Sequence, residues 1–180
     1  MITLYDYFRS SASYRVRIAL CLKEIAYDTQ TVNLVKGEHK SPAYLSINKQ
    51  GAVPFLVDGR VRMSQSLAMI EYLDEVHKDP PVIFGNVANR AYIRELSYLI
   101  ACDVHPLNNL KVWKGFVQKE LGADEQQMVD WYHRWIIQGM DTYEKLLEDR
   151  HMMGAFSCGD MPSMADICLV PQLYNARRFG

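Results

Sequence analysis

The stretch Ile2-Thr-Leu-Tyr-Asp-Tyr-Phe-Arg-Ser-Ser-Ala-Ser-Tyr-Arg-Val-Arg-Ile-Ala-Leu20 changes period half-way along. Residues 2–7 alternate and are rich in β-formers, which predicts a strand. From Tyr14 to Ile25 the apolar residues recur at helical spacing. Val16, Ala19 and Leu20 share one face, and Ile18, Leu22 and Ile25 widen it. That spacing predicts a helix buried on a broad face and opened by serines suited to capping. Working outward, Thr29–Leu34 reads as a weaker second strand, and residues 36–48 as a polar loop with room for one helical turn. Asp58-Gly59 stands between the apolar runs Val53–Val57 and Val61–Met63, a hairpin signal because the turn needs positive φ. Ser64 then precedes a second helix over Gln65–Val76. The order is β-α-β-(short α)-β-β-α. A right-handed crossover makes the first strand pair parallel, and the hairpin adds an antiparallel pair. The expected product is an α/β domain, a mixed four-stranded sheet with helices packed on it.

The second half reads differently. Residues 78–87 hold the Pro80-Pro81 pair and Gly85 and read as a linker. Beyond it, about 88–119, 124–149 and 163–178 carry helical patterns and no strand signal. Trp131 and Trp135, four apart, read as core aromatics on one helix face. The organisation expected is residues 1–79 as the α/β domain, 80–87 as linker and 88–180 as an all-helical domain.

Composition narrows the function classes. The 180 residues include 20 Lys and Arg against 21 Asp and Glu, and 49% are apolar. The apolar share is enough for a core, which argues against disorder. A near-neutral balance argues against nucleic acid as the main partner. The opening residues lack the long apolar run of a signal peptide or membrane span. Cys21, Cys102, Cys158 and Cys168 form no CxxC pair, which fits a reducing cytoplasm better than a disulfide framework or zinc site. Cys102 and His105 span one helical turn, but two ligands alone make a weak case, and no metal is expected.

Four features could carry chemistry. Arg9, Arg15 and Arg17 flank the start of the first helix, where the dipole already disfavours cations, and Ser10, Ser11 and Ser13 crowd the same place. Free N–H groups, hydroxyls and guanidiniums suit an anion. On pattern alone the bland alternative, solvated arginines and capping serines, weighs slightly more. Val53-Pro54 interrupts an extended run. If that bond is cis, the Val53 main chain could turn outward and pair with a peptide-like ligand. Gln65-Ser66 opens the second helix with an amide and a hydroxyl that could hold a carboxylate or simply cap. Ser163-Met-Ala-Asp166 is a capping box and is assigned to folding.

Ser10-Ser-Ala-Ser-Tyr-Arg-Val-Arg-Ile-Ala-Leu20 resembles the SSCSxRVRIAL signature of zeta-class glutathione transferases, the maleylacetoacetate isomerases. Val53-Pro54, Gln65-Ser-Leu-Ala68 with Ile70-Glu-Tyr-Leu73, Cys102-Asp-Val-His-Pro-Leu-Asn-Asn-Leu110 and Asp160 through Pro171 to Phe179 match the same family in order. The resemblance covers the whole chain and makes the anion site the leading reading. It implies a thioredoxin-like N-terminal domain followed by an all-helical domain, with glutathione as cofactor and a homodimer. It also implies a dicarboxylate substrate in a cleft between the domains.

Position by position, the resemblance implies that Ser10 activates the glutathione thiol, with Ser11 beside it. Ala12, Ser13, Tyr14 and Arg15 complete the same loop, and Arg15 joins the two serines as a catalytic candidate. His39 falls where the family usually has glutamine. Val53 would pair with the glutathione backbone, and Gln65 and Ser66 would hold its γ-glutamyl carboxylate. His105, Asn109, Leu110 and Lys111 match helical-domain contacts, and Arg178 the arginine that holds a substrate carboxylate. Arg9, by charge and position, is a second carboxylate partner. Two departures stand out. Ala12 replaces the signature cysteine, and family members run several dozen residues past the equivalent of Gly180. The third long helix stops while still apolar, so a C-terminal tail is expected to be lacking here. The implied reaction is cis–trans isomerisation of maleylacetoacetate to fumarylacetoacetate, in tyrosine and phenylalanine catabolism. Maleylpyruvate isomerisation, general transferase activity on halogenated acids, or a binding module without turnover are the alternatives.

Overall fold

The structure is a computed structural model and describes residues 1–152 and 154–179. Gly180, on which the expectation of an unfinished end rests, lies outside the described residues. The chain divides into two units, Met1–Val82 and Ile83–Gly180.

In the first unit, β1 (Ile2–Asp6) leads into α1 (Ser11–Leu22), then β2 (Tyr27–Thr31). A 3₁₀ turn (Glu38–Lys40) and α2 (Pro42–Ile47) follow, then β3 (Phe55–Asp58), β4 (Val61–Ser64) and α3 (Ser66–Val76). The sheet order is β2-β1-β3-β4. β1 and β2 are parallel, and β1–β3 and β3–β4 are antiparallel, as the crossover and the hairpin require. Gly59 turns the hairpin at φ +57°.

Alternation along β1 sorts the two faces. Ile2, Leu4 and Asp6 are buried on one side, where Arg17 of α1 meets Asp6; Leu56, the register partner of Leu4, is fully buried too. α1 and α3 pack on each other, burying Val16, Ala19, Leu20, Met69, Ile70 and Leu73. On the opposite face Tyr5 meets Phe55 and, from α2, Tyr44, each at 6.0 Å between ring centroids. Tyr44 also donates its hydroxyl to Ala52 O at 2.7 Å, which ties α2 to the segment before Val53.

Several boundaries differ from the sequence reading, two of them at site-bearing or pairing segments. α1 begins at Ser11 rather than Tyr14, because Ser10 caps it and Ser11 and Ser13 occupy its first turn. The second strand lies at Tyr27–Thr31 rather than Thr29–Leu34, set by its register against β1 from Ile2↔Tyr27 to Asp6↔Thr31. Residues 36–48 contain more helix than one turn, since Ser41 caps α2 and Pro42 starts it.

The second unit is helical: α4 (Val87–Tyr98), α5 (His105–Leu107), α6 (Leu110–Val112), α7 (Glu125–Arg150) and α8 (Met164–Arg178), with π-helical turns at Leu99–Val104 and Trp113–Gln118. The single helix expected over 88–119 is therefore broken. Pro106 has no N–H for the carbonyl one turn back, and the preceding turns widen. Asn109 then leaves the helix and caps α6 through its side chain. The apolar stripe continues across the break, which is why periodicity alone reads as one helix. α4 packs against α8, and Ile93, Leu96, Met164 and Ile167 are buried. A second cluster gathers Val104, Trp113, Val117, Met128, Tyr132 and Ile136. The capping box is present: the Asp166 carboxylate accepts the Ser163 N–H at 2.8 Å and hydroxyl at 2.7 Å. No helix of the described residues is long and apolar enough to cross a membrane.

Candidate functional site

The three arginines that crowd the start of α1 have three different fates. Arg17 is neutralised, with its Nη1 2.6 and 2.8 Å from the two Asp6 carboxylate oxygens. Arg9 stays exposed and lies over the Phe8 ring, 5.1 Å from its centroid. Arg15 is only 2% exposed and donates from Nη1 to Ser66 Oγ at 3.4 Å. A guanidinium this buried is retained only where other groups answer its charge and its five donors. Ser66 is the first residue of α3, so Arg15, one turn into α1, ties α1 to the N-terminal turn of α3. That turn carries partial positive charge, and a guanidinium beside it adds a full one. The place favours an anion.

The serines are arranged for the same end. Ser10 Oγ accepts the Ser13 N–H at 3.2 Å, while the Ser10 N–H goes to Tyr7 O at 2.8 Å. Capping uses the hydroxyl as acceptor and leaves its proton to donate. Ser11 is buried, and the Ser13 hydroxyl is fully buried with no hydrogen-bond partner among the described residues. A buried polar atom of this kind is costly unless something fills the site. Ala12 and Tyr14 are half-buried between them.

Val53-Pro54 is cis. Val53 is buried with Tyr7, Val32 and Tyr44, so the loop that carries it packs against the residue whose carbonyl holds Ser10. Gln65 precedes α3 at φ +78°, ψ +110°, a strained backbone for a residue with a side chain, and it makes no capping bond. Strain of that kind, held in place by its surroundings, is concentrated at functional sites. His39 sits on the 3₁₀ turn with its carbonyl beside Gly51, where an added Cβ would lie 3.1 Å away. Burial, and then the charge of Lys40, push the His39 pKa below the usual 6.5.

The structure thus brings Ser10–Arg15, Val53, Gln65 and Ser66 onto neighbouring loops and helix starts of one unit. In the other unit, His105 Nε2 lies 3.5 Å from Asn109 Nδ2, and Asn109 Oδ1 accepts the Lys111 N–H at 3.0 Å. Leu110 and Lys111 are exposed. Two hooks from α7 fix this turn: Trp131 Nε1 donates to Leu107 O at 2.9 Å, and Tyr132 O accepts from Asn108 Nδ2 at 3.4 Å. Trp131 is thus a half-buried prop as well as a packing residue. Arg178 is exposed at the last turn of α8, its guanidinium 5.5 Å from the Phe179 ring centroid.

Residues 9–76 match the family model for the glutathione S-transferase N-terminal domain. The chain is 44% identical over 180 residues to the maleylacetoacetate isomerase of Pseudomonas aeruginosa, covering 98% of this chain and 82% of that one. It belongs to the zeta-class glutathione transferases. A solved zeta-class structure, the holo form of a bacterial maleylpyruvate isomerase, superposes with a TM-score of 0.94 at 40% identity, over 98% of this chain and 83% of that one. The maleylacetoacetate isomerase of Methylobacterium extorquens AM1, solved with malonate and glutathione bound, gives 0.93 at 37% identity, over 99% and 83%. For this zeta-class transferase the thioredoxin-like domain and the helical part are the expected ones. Its four-stranded mixed sheet is the N-terminal half of that fold.

Sequence reasoning missed the Asp6–Arg17 pair, the strain at Gln65 and the hooks from α7. An acidic residue eleven positions before an arginine is a faint signal for the first. Nothing in the residue types around Gln65 announces a positive φ there.

Proposed function

We propose that this zeta-class transferase is a glutathione-dependent isomerase that converts maleylacetoacetate to fumarylacetoacetate in aromatic amino acid catabolism. The observation that supports the reading is the Arg15–Ser66 contact, which brings a buried guanidinium of α1 to the first residue of α3. The residues fit glutathione, a peptide with two carboxylates and a thiol. Gln65 and Ser66 meet its γ-glutamyl carboxylate, the Val53 main chain its backbone, and His39 with Lys40 beside it the other end. Ser10, Ser11 and the loop through Ala12, Ser13, Tyr14 and Arg15 surround the thiol. His105, Asn109, Leu110 and Lys111 are assigned to the same cofactor by resemblance.

Bound glutathione supplies a thiolate that adds reversibly to the cis double bond and so permits rotation. A free thiol of pKa about 8.5 is only about 3% ionised at pH 7. Ser10 lowers that pKa by donating its hydroxyl proton towards the sulfur, and the α1 dipole and the Arg15 charge act in the same direction. Ser11 stands beside it as a second donor. Ala12 offers no thiol, so the chemistry rests on hydroxyls. Arg178 by resemblance, and Arg9 by its charge and position, are each assigned to a substrate carboxylate, and a guanidinium in that role opposes the negative charge that builds up during the reaction.

Four cysteines without a CxxC pair fit a cytoplasmic location, and the family likeness supports a homodimer. The superposition on a maleylpyruvate isomerase favours that acid as the second reading. A glutathione-dependent absorbance assay comparing maleylacetoacetate with maleylpyruvate decides between them. Faster turnover of maleylacetoacetate is expected; no turnover of either acid would remove the isomerase assignment.

A further inference from the structure

The last turn of α8 does not hang free. Phe179 follows it and turns its ring into the aromatic cluster, 4.5 Å from the Tyr132 ring and 5.1 Å from Trp113. Its carbonyl accepts a hydrogen bond of 2.8 Å from His133 Nε2 on α7. A carbonyl can only accept, so His133 must carry its proton on Nε2. Arg178 immediately precedes this doubly anchored residue, with its guanidinium over the Phe179 ring. The Arg178 charge is also felt at Tyr132: burial raises that phenol to about 12, and Arg178 opposes the rise. A helix end normally frays, and its last carbonyls lack partners within the helix. Here one of them has a partner on the neighbouring helix.

We infer that His133 is a positioning residue for Arg178: by holding the Phe179 carbonyl it fixes the last turn of α8 and the direction in which the guanidinium is presented to a substrate carboxylate. This rests on the assignment of Arg178 to the substrate. The same short segment of α7 also holds the 107–109 turn, through Trp131 and Tyr132, and the Trp113 indole, through Met128 O at 2.8 Å. α7 is thus the common support for the two stretches of the helical unit that carry proposed site residues. His133 is the contact that serves the Arg178 stretch. Among the described residues its hydrogen bond runs to Phe179 and not to a proposed cofactor residue, so its removal is expected to be felt by the dicarboxylate and not by glutathione.

The test compares His133→Phe, which keeps an aromatic ring and loses the donor, with His133→Gln, which keeps a donor at similar reach, and with Arg178→Ala. The steady-state KM for each substrate and hydrogen exchange of the 174–179 amides are measured. The loss of one positioning hydrogen bond is expected to raise the dicarboxylate KM about 5–10-fold in H133F. The glutathione KM stays unchanged, H133Q returns the dicarboxylate KM to within about twofold, and exchange at 174–179 quickens in H133F. H133F adds no further loss on the R178A background. If R178A raises the dicarboxylate KM and H133F does not, the inference falls while the Arg178 assignment stands. If R178A itself leaves that KM unchanged, the assignment falls and the inference with it. Equal rises in both KM values, or a lower melting temperature with no KM change, would reduce His133 to a structural role and overturn the inference.

Discussion

Arg15 of α1 and Ser66 of α3 are 51 residues apart in sequence and joined by a hydrogen bond of 3.4 Å between Nη1 and Oγ. The contact brings the buried Arg15 guanidinium to the N-terminus of α3. Arg15→Lys keeps the charge but not the planar fork, and Ser66→Ala removes the hydroxyl. Calorimetric titration with glutathione is expected to show binding weakened about tenfold in each, the usual cost of a lost hydrogen bond to a charged group. Unchanged affinity in both would move the γ-glutamyl carboxylate away from this contact.

Lys23 is a second buried cation, and its role is structural. Its side chain is fully buried, and Nζ donates to Asp74 Oδ1 at 2.7 Å, His77 O at 2.7 Å and Pro80 O at 2.8 Å. Asp74 Oδ1 also accepts the Val82 N–H at 2.8 Å, so one cluster ties the end of α1 to the end of α3 and the segment after it. Lys23→Met strands the carboxylate and two carbonyls, and a loss of about 3–5 kcal/mol is expected. Urea unfolding followed by circular dichroism measures it; a change below about 1 kcal/mol would mean that water replaces the ammonium.

His39 has a pH signature. Its pKa is lowered in the folded chain, so the fold holds the neutral ring better than the unfolded chain does. The stability tied to this group is complete above the ordinary His pKa of about 6.5 and is lost as pH falls through the lower folded value. Lys40→Gln removes the second of the two causes. Imidazole NMR should show His39 titrating below 6.5 in the parent and at a higher pH in K40Q; an identical midpoint would exclude Lys40 as a cause.

The cysteines divide by burial. Cys21 and Cys102 are exposed, whereas Cys158 and Cys168 are buried, and burial pushes the Cys158 thiol up to about 11. A thiol-specific chromogenic reagent at pH 8 should modify Cys21 and Cys102 rapidly and the other two only on unfolding. Rapid modification of Cys158 in the native protein would show that its surroundings open readily.

Much of the α/β unit could be read in its residues, because each element has a local cause. Serines cap α1, Gly59 turns the hairpin, and the alternation of Ile2, Leu4 and Asp6 marks the buried side of β1, whereas α2 lies in a stretch that reads as a polar loop. The break at Pro106–Asn109 is hidden in the sequence, because apolar residues continue on both sides of it. In the site, the residue types at Ser10–Arg15 and Gln65-Ser66 allow an anion as well as ordinary capping, and only the family resemblance, not the pattern, points to Arg15. Asp6 silences Arg17 and Ser66 recruits Arg15, and both contacts depend on tertiary packing. His133 reads as one more polar residue on a helix until Phe179 is placed beside it.

We propose that the Ser10 hydroxyl, free to donate because capping uses it only as an acceptor, makes the thiolate. Turnover of maleylacetoacetate by Ser10→Ala at saturating glutathione, with the glutathione Kd measured alongside, tests it most directly. Loss of one donor aimed at a developing anion predicts a fall in kcat of about 100-fold or more, with the Kd changed by less than about threefold. Loss of the cap costs only about 1 kcal/mol of stability, so the variant remains folded. A kcat within about threefold of the parent would contradict the account, because a donor that shapes the reacting anion cannot be removed so cheaply.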